Sequence, residues 1–229
     1  MHRLATALSL TLSVALTFSP ARAEEPNLSA SPASTFGTAA RLAVAQRAYL
    51  HALENGEVLA LIAAIRLARS VTLRPATAWE KTHSGQTTPE VATLQPALPN
   101  PASDAALAIA RNLAADDPDL EDLVYDLDAQ LPRTRLETAV TAIGRLAPDQ
   151  TDTWRIALFG EALAELALIG DGKSPLSLTL TDEGGHILCA SPPSSRPALC
   201  RLTPARNGFF TLGVRNAGAT AADYRLFGN

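Results

Sequence analysis

The chain has few cysteines, few aromatic side chains and no surplus of positive charge. Its only cysteines are Cys189 and Cys200, and aromatic residues make up 5% of the 229 positions. Lysine and arginine total 19 against 23 aspartates and glutamates, which gives a formal net charge of −4. Because no predicted surface carries a basic cluster, nucleic acid and anionic membranes are disfavoured as partners.

Motifs of common catalytic sites are also missing. The sequence contains neither Gly-x-Ser-x-Gly nor His-Glu-x-x-His, which mark α/β-hydrolases and zinc proteases. Gly172-Lys173-Ser174 resembles the end of a phosphate-binding loop, but the glycine required five residues earlier is replaced by Ala167. The sequence therefore predicts no catalytic, cofactor-binding or metal-binding residue, and no cofactor.

The first 23 residues have the pattern of an export signal. Arg3 supplies the positive start, Leu4 to Phe18 form an apolar run, and Ala21-Arg22-Ala23 is a small-x-small cleavage site. The apolar run is shorter than the roughly 20 residues of a spanning helix, and no later run reaches that length. We expect cleavage after Ala23, a periplasmic or secreted location, and no stable membrane insertion afterwards.

Residues 24–133 are predicted to form a helical region of two helical hairpins. Apolar positions from Thr38 to Leu53 recur at helical spacing, and Asn55-Gly56 favours a helix end. A second helix begins at Val58 and stops before Pro75. Ser103 is the predicted cap of a third helix, and Asp117-Pro118 opens a fourth.

Residues 75–101 separate the two predicted hairpins. This segment contains five prolines and little apolar periodicity, which predicts a linker or a long surface loop. His83 lies in it, and a flexible segment is a poor place for a preorganised site.

From residue 134 the apolar period changes to two. The alternation predicts short strands separated by turn signals such as Asp182-Glu183-Gly184-Gly185. The predicted strands are 154–159, 176–180, 186–188, 209–214 and 224–227. The pattern predicts an antiparallel β-sandwich over residues 134–229, and hence an α+β fold with a domain boundary near residue 133.

Several segments of this second half resemble a known domain family. Gly170-Asp171-Gly172, Leu176 to Cys189, Cys200, Thr203 to Asn216 and Tyr224 to Asn229 resemble bacterial pre-peptidase C-terminal-type domains over about residues 138–229. The resemblance implies a jelly-roll-like β-sandwich attached to secreted proteins, a binding or stabilising role, and no catalytic residue.

Members of that family often carry an acidic stretch that can bind a cation. Here Lys173, Ser174 and Ser177 occupy positions where acids are expected. Only Asp171 and Asp182 are left, which disfavours cation binding.

Cys189 and Cys200 are separated by ten residues that include three prolines. In an oxidising compartment this spacing favours a disulfide bond. The alternative is a metal site built from both cysteines and His186, which lacks the paired close spacing of zinc ligands and a fourth donor.

Two classes of function fit these features. The favoured one is an exported noncatalytic binding or interaction module of the cell envelope, whose partner is an envelope or extracellular protein or polymer. The alternative is a secreted hydrolase-like enzyme with a carboxylate site between the two halves, using carboxylates such as Asp171 and Asp182.

Overall fold

The computed structural model describes residues 25–30, 36–84, 99–129 and 137–229. The expected signal peptide, residues 1–23, its cleavage site and the expected domain boundary near residue 133 lie outside these residues. The described helices are α1 (Thr38–Asn55), α2 (Val58–Arg69), α3 (Asp104–Ala114) and α4 (Pro118–Ala129). The strands are β1 (Val71–Pro75), β2 (Glu80–Ser84), β3 (Glu137–Leu146), β4 (Thr151–Leu158), β5 (Ala164–Gly170), β6 (Leu176–Thr181), β7 (Ile187–Ser194), β8 (Ala198–Leu202), β9 (Gly208–Asn216) and β10 (Ala222–Gly228).

The helix ends follow from local chemistry, as the sequence predicts. α1 ends where Gly56 takes a positive φ of 69°, a conformation that glycine adopts without steric cost. The Ser103 side chain accepts a hydrogen bond from the Ala106 backbone N–H at 3.2 Å and caps α3. The Asp117 carboxylate accepts the backbone N–H of Asp119 at 3.0 Å and caps α4 in the same way.

The strands form two five-stranded sheets that pack as a sandwich. The first sheet has the order β1-β3-β10-β5-β8, and the second has the order β2-β4-β9-β6-β7. All described pairings are antiparallel except that of β1 with β3. Between the sheets lies a core that includes Ile156, Leu178, Phe210 and Leu212. The predicted α+β class is confirmed.

The boundaries of the predicted regions need correction, because the helical region also supplies strands to both sheets. β1 pairs with β3 at the edge of the first sheet, and β2 pairs with β4 at the edge of the second. Residues 75–101 are therefore not all linker, since β2 lies within them. Whether residues 134–229 fold as a separate domain stays a prediction.

Strand β5 was missed because it does not alternate. Its residues from Ala164 to Ile169 are all buried, since the sandwich core covers one side and α1 covers the other. A strand buried on both sides has a continuous apolar sequence, which periodicity alone cannot distinguish from a buried helix.

Helix α1 covers the outer side of the first sheet. Its residues Leu42 and Ala43 form a small core with Ala167, Ile169 and Phe227 of the sheet. The C-terminal part of α1 packs with α2, α3 and α4 in a separate helical core that contains Leu61, Ile65, Leu107 and Val124. Within the described ranges, no helix is long and apolar enough to cross a membrane.

A buried carboxylate fixes the start of α1 to the first sheet. The Glu165 side chain is 0% exposed and accepts hydrogen bonds from the backbone N–H groups of Gly37 at 2.8 Å and Ala40 at 3.1 Å. The Arg201 guanidinium donates to the same side chain at 2.9 Å. Negative charge at a helix N-terminus is favourable, so Glu165 stabilises the covering of this sheet.

Cys189 and Cys200 form a disulfide bond. It joins β7 of the second sheet to β8 of the first, so the predicted pair links the two layers of the sandwich.

Candidate functional site

The outer side of the second sheet is not covered by any described element, in contrast to the first sheet. Alternation along β4, β9 and β6 turns their apolar residues inward and leaves small, polar or aromatic residues outside. We name this surface the open face. Its outward residues are Thr151, Thr153, Arg155, Ala157, Phe209, Thr211, Gly213, Arg215, Ser177, Thr179 and Thr181.

Hydroxyl groups surround the centre of the open face. Gly213 of β9 is paired with Thr153 of β4 on one side and Thr179 of β6 on the other. Because neighbouring strands lie about 5 Å apart, the two threonines are separated by about 10 Å across a glycine. Among the described residues, none hydrogen-bonds the hydroxyls of Thr153, Thr179 and Thr211. These groups are free to bond a ligand.

An arginine stacked on an aromatic ring lies beside these hydroxyls. The guanidinium carbon of Arg155 is 3.4 Å from the centroid of the Phe209 ring. Glu80 of β2 holds the same guanidinium at 3.3 Å. Stacking and the ion pair together fix the direction of the planar N–H donors.

The charges of the open face are paired within the protein. Arg155 pairs with Glu80 at 3.3 Å, and Arg215 pairs with Asp149 at 3.1 Å. Its remaining outward positions carry uncharged side chains. The open face is therefore polar but close to neutral.

A buried polar network supports the β2 edge of this sheet. The Asp152 side chain is 0% exposed, and it accepts from Lys81 Nζ at 2.7 Å and from His83 Nδ1 at 2.7 Å. The Tyr224 hydroxyl of the opposite sheet donates to the same carboxylate. Three donors from two sheets therefore meet on one buried carboxylate.

The aromatic part of the network fixes Tyr224. Trp154 Nε1 donates to the Tyr224 hydroxyl at 3.0 Å. Burial, followed by the hydrogen bond to the Asp152 carboxylate, raises the pKa of Tyr224 far above its usual range. A Cβ at Gly144, which pairs with Tyr224, would overlap the tyrosine ring. The hydroxyl is thus a permanent donor in a closely packed site.

The network has the character of a structural support. Both oxygens of Asp152 are occupied by donors from the protein itself, and buried carboxylates need such partners. Lys81 and His83 are 34% and 30% exposed on their side chains, so they close the sandwich edge. We conclude that this network holds β2 on the second sheet.

His83 corrects an interpretation based on sequence. Its position in a proline-rich segment indicated a flexible linker, whereas the structure places it on β2 directly opposite Asp152. The sequence feature that could have indicated this contact is Asp152. It occupies an inward-facing position of β4, on the same side of the strand as Trp154 and Ile156. A carboxylate at such a position needs partners.

Asp171 and Asp182 do not form a joint site. Asp171 precedes β6 and Asp182 follows it, so they lie at opposite ends of the strand. Asp171 accepts the backbone N–H of Lys173 at 3.0 Å, as is common in turns. Asp171 and Asp182 therefore do not form the carboxylate pair suggested for the enzyme alternative.

Asp182 organises one end of the sandwich. Its carboxylate accepts the backbone N–H groups of Asn27 and His186, each at 2.9 Å. Burial acts to raise the pKa of Asp182, but these hydrogen bonds and the His186 ring outweigh it, and the pKa is lowered. Asp182 therefore ties the N-terminal segment to the sandwich.

The other residues considered from the sequence do not assemble into a site. Both cysteines are in the disulfide, and the His186 ring contacts Asp182. In the parts of the chain that the structure describes, no group of three histidine, cysteine or acidic residues is placed to hold a metal.

Comparison with known proteins finds similarity to solved structures only. No protein family matches the sequence, and no curated protein matches it. The pre-peptidase C-terminal domain of a Bacillus anthracis collagenase is 15% identical, with 38% of this chain and 84% of that chain covered and a TM-score of 0.32.

Two further solved structures show similarity of the same extent. PliG of Aeromonas hydrophila, a periplasmic inhibitor of g-type lysozyme, is 14% identical over 40% of this chain and 84% of its own, with a TM-score of 0.29. TmCBM61, solved in complex with beta-1,4-galactotriose, is 11% identical over 38% of this chain and 65% of its own, with a TM-score of 0.26. At these values the similarities assign neither a family nor a ligand.

Proposed function

We propose that this protein is an exported noncatalytic binding module of the cell envelope, and that it binds an envelope or extracellular protein or polymer through the open face. The observation that carries the proposal is the asymmetry of the sandwich. Helix α1 covers the first sheet, whereas the second sheet turns unpaired hydroxyls and a stacked Arg155–Phe209 pair outward.

Export is supported by two independent features. The first 23 residues have the pattern of a cleavable signal. The disulfide between Cys189 and Cys200 is of the kind that forms and persists outside the cytoplasm.

Rigidity supports a binding role for the open face. Its residues lie on regular strands rather than on loops, and the Asp152 network holds the neighbouring edge strand β2 on the same sheet. A preorganised surface loses little conformational entropy when a ligand binds.

Cosedimentation with envelope material from the source cells tests the proposal. Gly213→Gln places a neutral side chain at the centre of the open face, and its Cβ meets only the Thr179 backbone oxygen at 3.8 Å. Ala108→Gln makes a matched neutral change at an exposed position of α3. The wild type and Ala108→Gln should sediment with the envelope, and Gly213→Gln should stay in solution.

Both variants must keep the wild-type melting temperature, which shows that the fold is intact. Equal sedimentation of all three proteins, or none for the wild type, would contradict the proposed function.

A further inference from the structure

We infer that the ligand of the open face is a neutral polysaccharide, an uncharged chain rich in hydroxyl groups. The inference rests on the proposed function and specifies the chemistry of its ligand.

The paired charges of the open face favour a neutral occupant over a polyanion. An anionic polymer requires arginines or lysines that are available to its charged groups. Arg155 and Arg215, the two outward cations, are already paired with Glu80 and Asp149. A polyanion would have to compete with these carboxylates, whereas a neutral chain meets no such competition.

The side chains of the open face also differ from those of a protein-binding surface. Protein interfaces derive most of their affinity from large apolar or aromatic anchors that fill pockets. The centre of the open face carries Thr153, Gly213 and Thr179 instead. Threonine hydroxyls donate and accept hydrogen bonds without charge, which matches the alternating donors and acceptors of sugar hydroxyls.

The stacked pair adds a second type of sugar contact. The Arg155 guanidinium lies against the Phe209 ring at one end of the hydroxyl row. The guanidinium is oriented by Glu80, so its remaining N–H groups can donate in parallel to two neighbouring hydroxyls. Phe209 is 43% exposed, and the part of its ring that Arg155 does not cover supplies an apolar surface for the C–H side of a pyranose.

Gly213 leaves room for a sugar ring to approach the backbone at the centre of the open face. The residue has no side chain, and the space above it is open apart from ordinary contact with the Thr179 backbone oxygen. Gly213 therefore leaves a gap between the side chains of Thr153 and Thr179, and a sugar ring that occupies this gap can contact both threonines.

Affinity electrophoresis of the exported protein tests the inference. The gels contain dextran, galactomannan, xylan or mixed-linkage β-glucan as neutral probes, and alginate or hyaluronan as anionic probes. At least one neutral probe should retard the wild type and Ala108→Gln equally. Gly213→Gln and Phe209→Ala should each weaken that binding by about tenfold or more, the loss of one well-placed contact set.

Salt dependence provides a second measurement. Binding of a neutral chain should change less than about twofold between about 0.1 M and 1 M NaCl, because screening acts on charges only.

Each failure has a distinct meaning. If Gly213→Gln abolishes binding to an anionic probe or to envelope protein while no neutral probe is bound, the neutral polysaccharide is wrong and the binding role of the open face stands. If neutral probes bind and neither Gly213→Gln nor Phe209→Ala weakens that binding, both the inference and the proposed role of the open face are wrong. If no neutral probe retards the wild type, the inference is overturned.

Discussion

Replacement of Asp152 by alanine should destabilise the protein through β2. The substitution removes the common acceptor of Lys81, His83 and Tyr224. Removing one partner of a buried ion pair costs about 3–5 kcal/mol. Lys81 and His83 are about one-third exposed and water can reach them, so we take the lower end, about 3 kcal/mol.

The size of this effect can be measured by thermal unfolding. For a chain of this length, about 1 kcal/mol corresponds to about 2–4 °C, so Asp152→Ala should lower the melting temperature by about 6–12 °C. Asp128→Ala is the control, because Asp128 forms an ion pair with Arg111 on the helical surface in which both side chains are half-exposed. Exposed pairs contribute about 0–1 kcal/mol.

The loss of stability in Asp152→Ala should also be localised to β2. Hydrogen exchange should increase in β2 of Asp152→Ala and remain slow in the central β6–β9 pairing. A melting temperature within the range of the control, or unchanged exchange in β2, would refute the view that Asp152 holds this strand.

Three further predictions concern the disulfide, the Asp182 cluster and export. Changing both Cys189 and Cys200 to alanine should lower the free energy of unfolding by about 3 kcal/mol in urea titrations, and thiol titration of the wild type should detect no thiol. Since its pKa is lowered, Asp182 contributes stability above about pH 4 that is lost as the pH falls through the folded-state value. Asp182→Asn should therefore lose less stability than the wild type between about pH 5 and pH 2; parallel pH profiles would contradict this. Mass spectrometry of the exported protein should find Glu24 as the first residue, and an intact Met1 would show that the signal is not cleaved.

The sequence was informative where one side of an element faces water. β9 alternates from Phe209 to Asn216 between outward and inward residues, so its strand could be predicted from the period of two. β5 could not, because α1 buries its second side. β2 could not either, since its inward positions hold Lys81 and His83 instead of apolar residues.

The open face could be predicted only in part. Alternation shows that Thr153, Thr179 and Gly213 turn to the outer side of their strands. It does not show that β9 lies between β4 and β6, because the order of strands is set by long-range packing. The Asp152 network likewise combines β2, β4 and β10, which are distant along the chain.

Nuclear magnetic resonance titration of the protein with solubilised envelope polysaccharide tests the central claim most directly. The backbone amide signals of Thr153, Thr179 and Gly213 should shift with the same dependence on ligand concentration and reach saturation together. The signals of α3 and α4 should stay unchanged. Shifts confined to the helices, or none on the open face at saturation, would contradict the claim that the uncovered side of the second sheet is the binding surface.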